Sequence, residues 1–215
     1  MKKFAVILSG CGVYDGSEIH EATLALLAIK KQGATYDIFA PDMPQHHVIN
    51  HLTGEVMSET RNVLVESARI ARGKIAPLDK LNPALYDALM LPGGFGAAKN
   101  LSSYAFDGSA MTVNPLLKEK LTEAHNLGKV IGALCIAPVI LAHIFDGIKL
   151  TIGTDTGTAA DINSMGARHI DTPSGGVACD KENKIFTTPC YMLDGDIARV
   201  AESCENIVKA MMEVM

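Results

Sequence analysis

Short apolar runs alternate with longer amphipathic stretches along the whole chain. Phe4 to Leu8 reads as a first strand, with Ser9-Gly10-Cys11-Gly12 as its turn. Ser17 to Lys31 has helical spacing, with Ser17 as N-cap and Gly33 as stop signal. Its middle, Leu24 to Ile29, is apolar nearly all round, which calls for burial on two sides, by a sheet and by a second subunit. Tyr36 to Ala40 is a second strand closed by Pro41, and the region from Met43 to Pro83 is longer and more polar. Within it, Val63, Leu64, Ala68 and Ala71 recur at helical spacing over Thr60 to Arg72. Ala88 to Leu91 is a buried strand ending in Pro92-Gly93-Gly94-Phe95-Gly96, and a loop leads to a helix from Pro115 to Leu127 stopped by Gly128. The run Lys129-Val130-Ile131 is a strand and Val139 to Ile144 a helix. Further on come a strand at Leu150 to Ile152, a helix over Ala159 to Met165, and short strand pieces at His169-Ile170 and Gly176 to Ala178. Lys184 to Thr188 is a strand broken by Pro189. Asp194 to Met215 closes the chain as an amphipathic helix whose apolar line runs through Ile197, Val200, Cys204, Ile207 and Met211.

Strands alternating with helices predict an α/β fold in one domain over residues 1–215, a mostly parallel, doubly wound sheet. In such sheets a ligand sits at the carboxyl ends of the strands. Three tight turns follow strands here, Gly10-Cys11-Gly12, Pro92-Gly93-Gly94 and the one at Cys135, so they are expected to converge on one crevice.

Composition narrows the function classes. With 48% hydrophobic and 20% charged residues the chain is of ordinary soluble, globular type. A net charge of −5 argues against nucleic acid as a partner. No stretch is long enough to span a membrane, and the apolar run after Lys2-Lys3 is too short for a signal peptide. Five cysteines, odd in number and without Cys-x-x-Cys, do not form a disulfide framework, which leads to the expectation of a reducing, cytoplasmic setting.

The densest chemical signal is Gly132-Ala133-Leu134-Cys135-Ile136-Ala137-Pro138. An apolar strand precedes it and a helix follows, with Pro138 in the first helical turn, where a missing N–H costs nothing. This is nucleophile-elbow patterning with Cys in place of Ser. A helix N-terminus is expected to depress the Cys135 thiol pKa, and the Ile136 N–H to face an oxyanion beside the sulfur. The competing reading is a buried core cysteine. Glu18 and Glu21 share a face at the start of the first long helix. A carboxyl group there, against an apolar wall, would have a raised pKa and could move a proton; otherwise both acids simply complement the helix dipole. The apolar run after Glu21 favours it as the working acid. Gly93 and Gly94 offer backbone N–H groups to a developing negative charge, and His20 stands where it could line the same site. Cys11 and Cys190 also follow strand ends, and His143 lies on the helix after Cys135. His46, His47 and His51 have no metal-ligand spacing and read as a solvated loop, so neither metal nor cofactor is expected.

These residues resemble the DJ-1/PfpI superfamily and, within it, the ElbB proteins, named for enhanced lycopene biosynthesis, with their mitochondrial relatives. The resemblance is carried by Ile7 to Glu21, Val48 to Glu55, Leu91 to Leu101, Cys135-Ile136-Ala137-Pro138 and Leu150 to Asp155, and it spans nearly the whole chain. It implies a flavodoxin-like three-layer sandwich of class I glutamine amidotransferase-like type, with Cys135 as nucleophile and Glu21 as its acid. Glu18 takes the place of a second acid. It further implies a homodimer, a link to isoprenoid biosynthesis, and a cofactor-free glyoxalase that turns a small dicarbonyl, glyoxal or methylglyoxal, into the hydroxy acid through a Cys hemithioacetal. The alternatives it carries are protein deglycation and a non-enzymatic redox or carbonyl-stress sensor. Many relatives place His directly after the elbow Cys, where this chain has Ile136; others place one after the next strand, where it has Gly153-Thr154-Asp155. A glutamine amidotransferase would need His-x-Glu after the last strand, where Thr187-Thr188-Pro189-Cys190 stands; His169-Ile170-Asp171 comes one strand too early.

Overall fold

The apolar runs of the sequence become a seven-stranded sheet in the order β3-β2-β1-β4-β5-β9-β8. The structure, a computed structural model, describes residues 1–193 and 195–215. The strands are β1 (Lys3–Ile7), β2 (Thr35–Ala40), β3 (Ala76–Pro77), β4 (Ala88–Leu91), β5 (Val130–Leu134), β8 (Ala178–Asp180) and β9 (Ile185–Thr188). Every pairing is parallel except that of β8 with β9. A separate pair, β6 (Lys149–Leu150) and β7 (Arg168–His169), lies outside the main sheet. The expected strand at Leu150 to Ile152 stops early because its backbone donors go elsewhere. The Thr151 N–H bonds Thr187 Oγ1 at 2.8 Å and the Ile152 N–H bonds His169 Nε2 at 3.3 Å, so no ladder can continue.

Among the described residues, eight α-helices pack around these strands: α1 (Ile19–Lys31), α2 (Val63–Ile70), α3 (Phe95–Lys99), α4 (Tyr104–Asp107), α5 (Pro115–Asn126), α6 (Pro138–Ile144), α7 (Thr156–Ser164) and α8 (Ile197–Met212). Alternation along β1 sorts the core into two layers. Phe4 and Val6 face one apolar cluster with Ile29, Met90, Phe186 and Ile207, while Ala5 and Ile7 face the other with Leu89, Ile131, Leu117 and Val139. Helices α1 and α8 therefore cover one face and α5 and α6 the other, the three-layer sandwich expected of a flavodoxin-like fold. The second surface that buries the apolar middle of α1 is α8 of the same chain; Leu27 on its outer side stays half exposed.

Three local readings change. The N-cap of α1 is Glu18, whose carboxylate accepts the Glu21 N–H at 2.7 Å. Ser17 is drawn away because its Oγ accepts the Ser9 N–H at 2.8 Å, tying the β1 turn to the helix entry. The segment after β4, read as loop, holds α3 and α4, and the polar region before it supplies the short edge strand β3. The last helix begins at Ile197, where Asp196 accepts the N–H groups of Ala198 and Arg199; Asp194, at which the pattern begins that helix, lies outside the described residues.

The chain runs outward from β1 through β2 to β3, then crosses back to β4 on the other side of β1. That reversal opens a crevice at the carboxyl ends of β1 and β4, with β5 next to it. Phe186, fully buried on β9 between the sheet and α8, anchors this half of the core. Phe186→Ala should destabilise the protein by about 3–5 kcal/mol in denaturant titration.

Candidate active site

Three chain segments meet at the crevice, and each brings one part of the site. At the end of β5, Cys135 adopts φ 59°, a left-handed conformation that turns the chain sharply from strand to helix and lifts the side chain out of the sheet. Its N–H donates to the Thr188 carbonyl at 3.0 Å, so the elbow is fastened to β9. From α1, Glu21 reaches in and is completely buried. Its Oε2 accepts the Gly93 N–H at 3.0 Å, its Oε1 accepts the Tyr191 N–H at 3.2 Å, and the carboxyl hydrogen-bonds the Cys135 thiol. From the turn after β4, Gly94 directs its N–H at the Cys135 sulfur, as does Ile136 from the elbow itself.

Gly93 explains why this turn is glycine. A Cβ there would sit 2.7 Å from Glu21 Oε2 and 2.9 Å from Cys135 Sγ, inside the contact the site is built on. Gly94 adopts φ 92°, which only glycine reaches without strain and which swings its N–H toward the sulfur.

The charge balance departs from the expectation of a depressed thiol pKa. Burial pushes the Cys135 thiol well up and the Glu21 charge pushes it further; the Gly94 and Ile136 N–H groups pull it back only in part. Cys135 is 7% exposed, so the loss of hydration outweighs the pull of those N–H groups and of a helix of only seven residues. Burial, and then the Glu18 charge, raise Glu21 to about 7 against its three hydrogen bonds. The resting site therefore keeps a proton on sulfur and holds beside it a carboxyl group that titrates near neutrality. The strongest influences on both groups are burial, a neighbouring carboxyl group and neutral hydrogen-bond donors.

The structure thus brings Cys135, Glu21, Gly93, Gly94 and Ile136 together. Glu18 stands behind them: it caps α1, its N–H donates to the Gly93 carbonyl at 2.9 Å, and its charge acts on Glu21. His20 points outward, with Nδ1 2.8 Å from the Tyr191 hydroxyl, and joins the site only through that residue. His143 lies near Lys118 and not at the elbow. His46 meets His47 edge-on and lies tilted against Phe106, and His51 lies tilted against Tyr14. Among the described residues no group of His, Cys, Asp or Glu is placed to hold a metal ion, and no helix is long and apolar enough to cross a membrane. The sequence reading missed Tyr191. Its contribution is a backbone N–H, which side-chain chemistry does not reveal; the only signal was its place just after a strand end.

No family model matches the chain. The mitochondrial ES1 protein homolog of Rattus norvegicus is 44% identical over 222 residues, covering 99% of this chain and 84% of that protein. The chain belongs to the ES1 family. A second relative, the human mitochondrial glutamine amidotransferase-like class 1 domain-containing protein 3, is also 44% identical, over 99% of this chain and 83% of its own length. The solved structure of an isoprenoid biosynthesis protein with an amidotransferase-like domain, from Ehrlichia chaffeensis, is 36% identical with a TM-score of 0.92, over 99% of this chain and 100% of that one. Glyoxalase III of Candida albicans shares the fold at 15% identity and a TM-score of 0.61, covering 97% of each chain. The expectation of a cytoplasmic location is overturned, because the ES1 relatives matched over nearly the whole chain are named mitochondrial. That expectation rested on free thiols, which report a reducing compartment without saying which one.

A buried acid with a raised pKa favours the folded state only while it is protonated. Because Glu21 is raised from 4.5 to about 7, its contribution is complete below the lower value and is lost as pH climbs through the upper one. The loss amounts to about 3 kcal/mol. Thermal melts of the wild-type protein should fall by several degrees between about pH 5 and pH 8, and Glu21→Gln should flatten that slope.

Proposed function

We propose that this chain is a cofactor-independent glyoxalase that converts glyoxal or methylglyoxal to the corresponding hydroxy acid. The observation that carries the proposal is the pairing of the Cys135 thiol with a carboxyl group that titrates at about 7 and is locked in place by two backbone N–H groups. A general base poised near the working pH is what carbon–hydrogen proton transfer needs.

The first step follows from the protonated resting thiol. The Glu21 carboxylate takes the thiol proton as Cys135 Sγ bonds to one aldehyde carbon. The developing alkoxide lies where the Gly94 and Ile136 N–H groups already point, and takes up the proton from Glu21 to give a hemithioacetal. Glu21, again ionised, removes the proton from that carbon and returns it to the neighbouring carbon through an enediol, while the hydroxyl proton of the hemithioacetal passes to the neighbouring oxygen, leaving a thioester of the hydroxy acid. Water cleaves the thioester and restores the thiol. One carboxyl group thus acts three times, and its hydrogen bonds from Gly93 and Tyr191 leave it little freedom to leave the sulfur.

Support also comes from what the site lacks. The groups that act most strongly on the Cys135 sulfur are Glu21 and two backbone N–H groups. After β9, where a glutamine amidotransferase would place His-x-Glu, the chain has Pro189-Cys190-Tyr191. The shared fold of a protein named glyoxalase III agrees with this reading. The Ehrlichia relative is named an isoprenoid biosynthesis protein, and removal of reactive carbonyls offers an indirect route to such a link.

Cys135→Ala should abolish glyoxal turnover with product followed by chromatography; undiminished activity would end the proposal. Glu21→Gln should lower kcat/KM by about 10²–10⁴-fold. In the wild-type protein kcat/KM should rise with pH through about 7, as Glu21 loses its proton, and the variant should lack that limb.

A further inference from the structure

Two buried thiols next to the site have no part in the carbonyl chemistry. Cys190 is 4% exposed, Cys204 is fully buried, and both share one apolar cluster with Cys135. The sheet register brings the two segments together: Leu134 pairs with Thr188 across β5 and β9, and the Cys135 N–H bonds the Thr188 carbonyl. Past Thr188 the chain turns at Pro189 into a short helical turn that opens with Cys190, close enough for the Cys135 sulfur to act on the Cys190 thiol.

The local backbone adds to this. Cys190 adopts φ 44°, the same left-handed region as Cys135. Non-glycine residues enter that region only at a steric cost, and such outliers gather at functional sites. Here the turn also aims the next N–H, that of Tyr191, at Glu21, so the carboxyl group lies between the two cysteines' segments. Cys204 backs Cys190: the two thiols are hydrogen-bonded, and Cys204 Sγ lies 3.8 Å from the Glu21 carbonyl oxygen. Cys11 and Cys179 lie outside this cluster.

We propose that Cys190 is the resolving thiol of Cys135, so that a hydroperoxide closes a Cys135–Cys190 disulfide. In the first step the Cys135 sulfur, its proton taken by Glu21, attacks the peroxide; an S–O bond forms, the O–O bond breaks, and the peroxide leaves as alcohol or water. In the second the Cys190 sulfur attacks the sulfenic acid. An S–S bond forms, the S–O bond breaks, and the hydroxyl departs as water with the proton that Cys190 gave up through Glu21. The disulfide halts oxidation before the sulfinic stage and is opened by thiols.

The test uses the full chain with Cys11→Ser and Cys179→Ser, leaving the three clustered cysteines. After treatment with hydrogen peroxide near neutral pH, non-reducing mass spectrometry should show loss of two hydrogens and a peptide linking Cys135 to Cys190. Dithiothreitol should reverse both. Cys190→Ser, checked for a native circular dichroism melt, should instead gain two oxygens on Cys135, while Cys204→Ser should keep the link. Sulfinic acid at Cys135 with Cys190 free in the parent protein would overturn the proposal. So would a disulfide between Cys190 and Cys204 that leaves Cys135 out. None of these readouts depends on glyoxal turnover, so they are decided separately from the glyoxalase reading.

Discussion

A single buried carboxyl group sets the terms for the crevice. Glu21 has no solvent contact, so each of its oxygens must find a donor inside the protein, and each finds a backbone N–H from a different turn. Those turns follow β4 and β9, and the thiol beside the carboxyl follows β5. Glu21 therefore fastens three strand ends to α1. The same burial that demands these partners lifts its proton affinity into the neutral range. Structural role and chemical role have one cause.

This arrangement changes how a cysteine at an elbow is to be understood. The usual expectation gives the helix N-terminus the task of ionising the thiol. Here desolvation is stronger, and the acid next door adds repulsion whenever it is charged. The sulfur keeps its proton until the carboxylate takes it, so the nucleophile forms in the same event that protonates the acid. The Gly94 and Ile136 N–H groups are then free to act on the oxygen of a bound carbonyl, since they are not needed to hold a permanent thiolate.

Much of this was legible in the residues. The apolar runs gave β4 its bounds of Ala88 to Leu91 and brought β1, β2 and β9 within a residue or so, because a buried strand has to be apolar along its length. The elbow and the two glycines were visible as residue types at strand ends, and the partner acid as one at the start of the first helix. What the sequence could not show came from long-range competition. Ser17 is a good cap by type, yet Ser9 claims its hydroxyl; Ile152 looks like strand, yet its N–H belongs to His169. The direction of the thiol shift failed for a similar reason. Local helix geometry can be read from a few residues, whereas burial depends on Gly93, Glu21 and the β9 turn arriving from far along the chain.

The acidic surroundings of the sulfur bear on how a reaction there would finish. An uncharged aldehyde meets no electrostatic barrier on entry, since Glu18 and Glu21 have nothing to repel. The hydroxy acid left by the proposed chemistry is an anion, formed against two carboxyl groups. Repulsion that was silent on the way in then drives the product out, so a pocket of this charge resists clogging by its own turnover.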